Sequence, residues 1–156
     1  MSFMRKALTM LPGVAALSLP MVLSAPANAY TSSNGCSVTP EAPVFDHLNG
    51  TGQKVIKYWT NALCSGDRTV EIQDRRYDED WTSADDPYGT TTYTITFTEF
   101  AASNPSVTKV LPDADAWGDD NEEMYHSTRF RVTGTLDGVT SPWTAWERSP
   151  VMTFHR

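Results

Sequence analysis

The stretch Thr90-Thr91-Thr92-Tyr93-Thr94-Ile95-Thr96-Phe97-Thr98-Glu99 decides the fold class. Tyr93, Ile95 and Phe97 fall on one face and Thr92, Thr94, Thr96 and Thr98 on the other, which is the two-residue period of a β-strand. β-Branched threonine suits the solvated side of a pleated sheet, and the apolar side needs a core to cover it.

The same period recurs on both sides of this segment. Lys54–Cys64 alternates with Ile56, Tyr58, Ala62 and Cys64 on one face, and Thr69–Tyr77 sets Val70 and Ile72 against Glu71 and Gln73. Val107–Leu111 reads as a short strand stopped by Pro112, Met124–Thr133 as a long one with Phe130 and Val132 on its apolar face, and Val151–Phe154 as the last. Val38–Phe45 carries Pro40 and Pro43, which suit only an edge strand. Asn49-Gly50-Thr51-Gly52 and Ser65-Gly66-Asp67 are turns, and Asp137-Gly138 is a two-residue hairpin signal. No amphipathic helix is evident; only Phe100–Ser103 is expected to make a helical turn. About seven short strands with frequent turns predict an all-β, antiparallel two-sheet sandwich, a small barrel being the alternative.

The N-terminal segment has another character. Arg5 and Lys6 precede an apolar run, Ala7–Leu23, interrupted by Pro12 and Pro20, and Ala27-Asn28-Ala29 puts small residues where a signal peptidase reads. Residues 1–29 are therefore expected to be a secretory signal, and residues 30–156 a single secreted, extracellular domain whose first residues, 30–35, are disordered. The apolar run is short and broken for a spanning helix, so no membrane insertion is expected after cleavage. Cys36 and Cys64 are the only cysteines, and export predicts that they form a structural disulfide.

The 156 residues include 12 basic and 19 acidic side chains, a formal charge of −7. This acidic balance argues against nucleic-acid binding, which needs a basic footprint. Eleven of the 19 acids fall in two stretches, 78–86 and 113–123, which also hold Trp81 and Trp117. Strand alternation in a sandwich sends both stretches to one pole. Beyond a solvated surface, three uses are open to such a pole. Asp113, Asp115, Asp119, Asp120 and Asn121 are candidate calcium ligands, although the spacing fails the helix-loop-helix pattern at Trp117 and Met124. Trp81 and Trp117 are candidate stacking platforms for a glycan. A basic extracellular protein is a candidate partner, steered by the negative field.

Thr128-Arg129-Phe130-Arg131-Val132, Asp137-Gly138-Val139-Thr140-Ser141-Pro142-Trp143-Thr144-Ala145-Trp146 and Ser149-Pro150-Val151 resemble the end of a fibronectin type III domain. Trp143-Thr144-Ala145-Trp146-Glu147 is similar to the tryptophan-serine box of cytokine-receptor modules. The resemblance implies a sandwich fold with a binding or spacer role and implies no chemistry. The residues themselves point to a structural clasp of Arg129, Arg131, Trp143 and Trp146. A hairpin centred on Asp137-Gly138 would lay Arg129 on Trp146 and send Trp143 into the core with Phe130. A polyproline-like segment, with a period of three, would instead put both tryptophans on one edge with the arginines interleaved.

No phosphate loop, nucleophile motif or metal-ligand cluster is readable. His47, His126 and His155 are scattered, and His126 is expected at a strand end or on the surface. The expected function is a secreted non-catalytic binding module with no cofactor. The alternatives are a calcium- or glycan-binding protein using loops 78–86 and 113–123 and, third, a secreted hydrolase. Asn49-Gly50-Thr51 is a glycosylation sequon in hosts that modify secreted proteins.

Overall fold

A computed structural model describes residues 31–79, 85–112, 121–133 and 138–155. All regular elements among them are strands: β1 (Thr31–Ser33), β2 (Cys36–Pro40), β3 (Val44–Leu48), β4 (Lys54–Ser65), β5 (Arg68–Asp78), β6 (Asp86–Phe97), β7 (Phe100–Ser103), β8 (Ser106–Val110), β9 (Asn121–Val132), β10 (Glu147–Arg148) and β11 (Met152–His155).

They form two antiparallel sheets. In the first, β4 is the spine; β2 and β3 follow one another along one edge, and β7 and β8 along the other. In the second, β5 lies between β6 and β9, with β10 and β11 in succession on the far side of β9. The larger number of strands than the sequence predicts comes from proline. Pro43 falls between β2 and β3, Pro105 between β7 and β8, and Pro150 between β10 and β11. Each lacks the N–H a continuous ladder would use, so one strand path becomes two segments.

Two local expectations are corrected. Phe100–Ser103 is strand β7, not a helical turn, pairing Ala101 with Cys64. Glu99 takes a left-handed φ of 59°, and its N–H donates to Asp67 Oδ1 at 2.7 Å. That kink carries the chain from the second sheet to the first and leaves Phe100 72% exposed. Order also begins before residue 35. β1 folds back on β2 through Asn34-Gly35, with φ of 49° and 75°, the mirror-image turn that favours this dipeptide.

The core has two apolar parts. One surrounds the Cys36–Cys64 disulfide and holds Val38, Val70, Ile72, Phe97, Phe130 and Val132. The other holds Ile56, Tyr58, Leu111, Met124 and Phe154. Ionisable side chains lie between them.

Candidate functional site

Alternation along β5 points Val70, Ile72, Asp74 and Arg76 inward. The first two join the apolar core, while the other two bring a carboxylate and a guanidinium into it, each 1% exposed. Register sets Asp74 opposite Thr91 and Thr128, and Arg76 opposite Gly89 and His126. His126 is completely buried, contrary to its expected surface position. Burial follows from its parity with Met124, Thr128 and Phe130 on the inward face of β9. Glu147 pairs with Thr128 and is also buried.

The polar contacts are specific. Arg76 Nη1 donates to Asp74 Oδ1 and to Thr91 Oγ1, both at 3.0 Å. His126 Nδ1 lies 2.5 Å from Asp74 Oδ2, and Nε2 lies 2.8 Å from the Glu41 carbonyl. A carbonyl only accepts, so Nε2 is the donor in that contact. Tyr58 meets the imidazole edge-on at 5.7 Å, and the Arg76 guanidinium lies 5.9 Å from the Tyr58 ring. Gly89 is required here, because a Cβ would come within 3.0 Å of Arg76 Nη2 and the φ of 132° disfavours other residues. Tyr58 OH, Thr60 Oγ1, Arg76 Nε and Tyr93 OH make no hydrogen bond among the described residues.

Burial raises the Tyr58 phenol above its ordinary range, with Tyr88, Asp78 and Asp74 adding to the rise against Arg76. Burial, aided by Asp74 and opposed by Arg76, pushes Tyr93 up to about 12. The unfolded chain ionises its phenols near pH 10. The stability contributed by the neutral phenols is therefore full below pH 10 and lost as pH rises from about 10 to 12, the unfolded state releasing protons first. The Tyr58 and Tyr93 share of a tyrosinate absorbance titration of the native protein should rise late and cooperatively, together with loss of tertiary structure. A gradual rise centred at pH 10 with structure retained would refute this.

The cluster is chemically closed. His126 has one ring nitrogen on Asp74 and the other on a backbone carbonyl, so neither faces a nucleophile. The Asp–His pair therefore ties β5, β9 and the Glu41 backbone together.

The 78–86 stretch begins, and the 113–123 stretch ends, at adjacent strand ends. Asp78 at the end of β5 pairs with Met124 and Asp86, and the Glu79 N–H donates to the Glu123 carbonyl at 2.8 Å. The rim is braced by stacked Tyr77 and Tyr125 rings 4.9 Å apart. Arg148 lies 3.6 Å from the Tyr125 ring centre and 2.7 Å from Glu79 Oε1, and Tyr125 OH donates to Asp85 Oδ2 at 2.5 Å. Burial and the Asp85 hydrogen bond raise the Tyr125 phenol. Trp81, Trp117, Asp113, Asp115, Asp119 and Asp120 lie outside the described residues. Asn121 opens β9 and its Oδ1 is 3.0 Å from His155 Nδ1. Among the described residues no group of three or more His, Cys, Asp or Glu side chains is arranged to hold a metal ion.

On the outer face of the second sheet, arginine and tryptophan interleave. Arg75 lies 4.4 Å from the Trp146 ring centre, Arg129 4.7 Å from Trp146 and 4.8 Å from Trp143, and Arg131 4.7 Å from Trp143. Gln73 accepts from Arg129 Nε at 2.9 Å and Glu71 from Arg131 Nε at 2.7 Å. The regular hairpin register does not form. Ser141, Thr144 and Glu147 meet Val132, Phe130 and Thr128, three-residue steps against two-residue steps. The backbone N–H groups of Val132, Phe130 and His126 are taken by the hydroxyls of Ser141, Thr144 and Ser149 at 2.9, 3.1 and 3.1 Å. Trp143 is thereby half-buried on the outer face and does not join Phe130 in the core. Trp146→Ala removes two cation–π contacts and packing area, and should lower the unfolding free energy by about 1–3 kcal/mol in a urea titration.

No family model matches the chain, and no curated protein is similar to it.

Proposed function

We propose that this chain is a secreted, non-catalytic binding module of fibronectin type III-like form, and that its acidic pole docks a cationic protein. The observation that carries the reading is the Glu79–Glu123 backbone bond, which joins the start of the 78–86 stretch to the end of the 113–123 stretch at one place on the rim. Eleven acids fall in the two stretches that meet at this bond, a composition suited to steering a basic surface. The finer fold reading is supported by β6 lying on the sheet of β5 and β9, and by the three-residue steps of the Trp143–Trp146 segment. The Cys36–Cys64 disulfide supports export. The sealed Asp74–His126 pair supports a structural rather than a catalytic use of those groups.

The test is capture from the native extracellular fluid with wild-type protein and with a variant carrying asparagine at Asp80, Asp113, Asp115, Asp119 and Asp120. A cationic protein retained by the wild type, released by salt and lost with the variant supports the proposal. Equal retention by both overturns it. A thermal-melt rise with millimolar calcium that chelator reverses would transfer the pole to the metal reading.

A further inference from the structure

The second sheet ends in β6, whose Thr90–Phe97 segment pairs with β5 on one side only. Among the described residues no strand pairs with its other side. This edge differs in kind from the rest. β3 carries Asp46 and His47, β8 carries Lys109, β10 has Glu147 and Arg148, β11 follows Pro150, and β1 and β7 are short. Charges, prolines and shortness are how native sheets keep their edges from pairing. β6 opens with Asp86 and Pro87, but its Thr90–Phe97 stretch is long, without charge or proline, and rich in β-branched and aromatic residues.

We infer that this edge is a self-association surface, two copies joining β6 to β6 in antiparallel fashion about a two-fold axis at Thr94. The occupant is a second copy because the strand is complementary to itself in that register. A two-fold axis perpendicular to the sheet pairs residues whose numbers sum to twice that of the central one, so faces match only about a residue position. Centred on Thr94, the exposed Thr92 opposes Thr96, and Thr94 opposes itself. On the inner face Tyr93 opposes Ile95, and both are only partly buried where they flank the disulfide end of the core. Threonine pairs and aromatic–β-branched pairs are favourable cross-strand combinations, and no like charges meet along the seam. The two second sheets become one continuous sheet, and the main-chain groups along the seam gain partners. Each copy carries a formal charge of −7, so long-range repulsion weakens the dimer at low salt and screening strengthens it.

The test is sedimentation velocity of the purified protein at concentrations up to about 1 mM, where even a weak dimer shows. Wild type should form a dimer that strengthens with salt. Thr94→Lys places like charges opposite each other on the outer face and should weaken dimerisation at least tenfold, with an unchanged thermal melt at dilutions where both proteins are monomeric, because Thr94 is exposed. Thr94→Glu alone should do the same, and an equimolar mixture of T94K and T94E should restore the dimer. Thr94→Val should remain dimeric. A wild type that stays monomeric throughout, or a T94K variant as dimeric as wild type, overturns the inference. The pole variant lacking five loop carboxylates should still dimerise, which separates this surface from the proposed docking pole.

Discussion

Asp74→Ala is expected to lower the unfolding free energy by about 3–5 kcal/mol, read as a fall in the denaturant midpoint. The carboxylate accepts from Arg76 through Oδ1 and meets His126 through Oδ2, with all three groups at most 1% exposed. Removing it leaves the buried Arg76 guanidinium without its carboxylate and His126 Nδ1 without its partner, and an orphaned buried charge typically costs this much. The intact network makes a smaller net contribution, because burying it already spent much of its Coulombic gain on desolvation. A triple replacement, Asp74→Leu with Arg76→Met and His126→Phe, should therefore cost less than Asp74→Ala alone. If the triple variant is the less stable, the network stabilises the fold directly and the desolvation argument fails.

The second large effect is at the disulfide. Cys36 and Cys64 sit directly opposite each other on β2 and β4, and their bond closes a loop with a sequence separation of 28. The chain-entropy estimate for such a loop is about 3–4 kcal/mol. Cys36→Ala with Cys64→Ala should lower stability by that amount, and reduction of the native protein should produce a matching fall in melting temperature. The surrounding Val38, Val70 and Val132 remain to hold β2 and β4 against the second sheet, so the variant should still fold at low temperature. A melt unchanged within a degree or two would mean that the loop is already closed in the unfolded ensemble.

Alternation made the sandwich readable. The inward face of Lys54–Cys64 and the threonine face of Thr90–Glu99 lie as their two-residue period requires. Val70 and Ile72 were legible as core, yet extending the same parity two and four positions reaches Asp74 and Arg76. A charged residue at a core position is hidden from any reading that looks for apolar residues, although parity alone marks it. His126 was obscured in the same way. The β1–β2 hairpin carried a plain signal in Asn34-Gly35, masked by the expectation of a frayed start. Phe100–Ser103 could not be read as a strand, because its partner, Ser65–Ala62, is distant in sequence. The step mismatch of residues 141–147 is encoded in Ser141, Thr144 and Ser149, whose hydroxyls replace the acceptors that a regular ladder supplies. Strand alternation sets the end of β5 beside the start of β9, where the Glu79–Glu123 bond lies, whereas residues 80–84 and 113–120, which carry both tryptophans and five acids of the expected pole, lie outside the described residues.

The ionic layer across the middle of the sandwich has a dynamic consequence. The two apolar clusters share no continuous oil-like interior, so a fluctuation that loosens one need not loosen the other. The cross-linked half is stapled, whereas the half beneath the carboxylate-rich rim is closed by Met124, Leu111 and Phe154, the last two slightly exposed. Amide hydrogens around Met124 on β9 should accordingly exchange through a lower-energy opening than those around Val132 on the same strand. One end of the domain would then breathe under the proposed docking pole while the other keeps the chain in place.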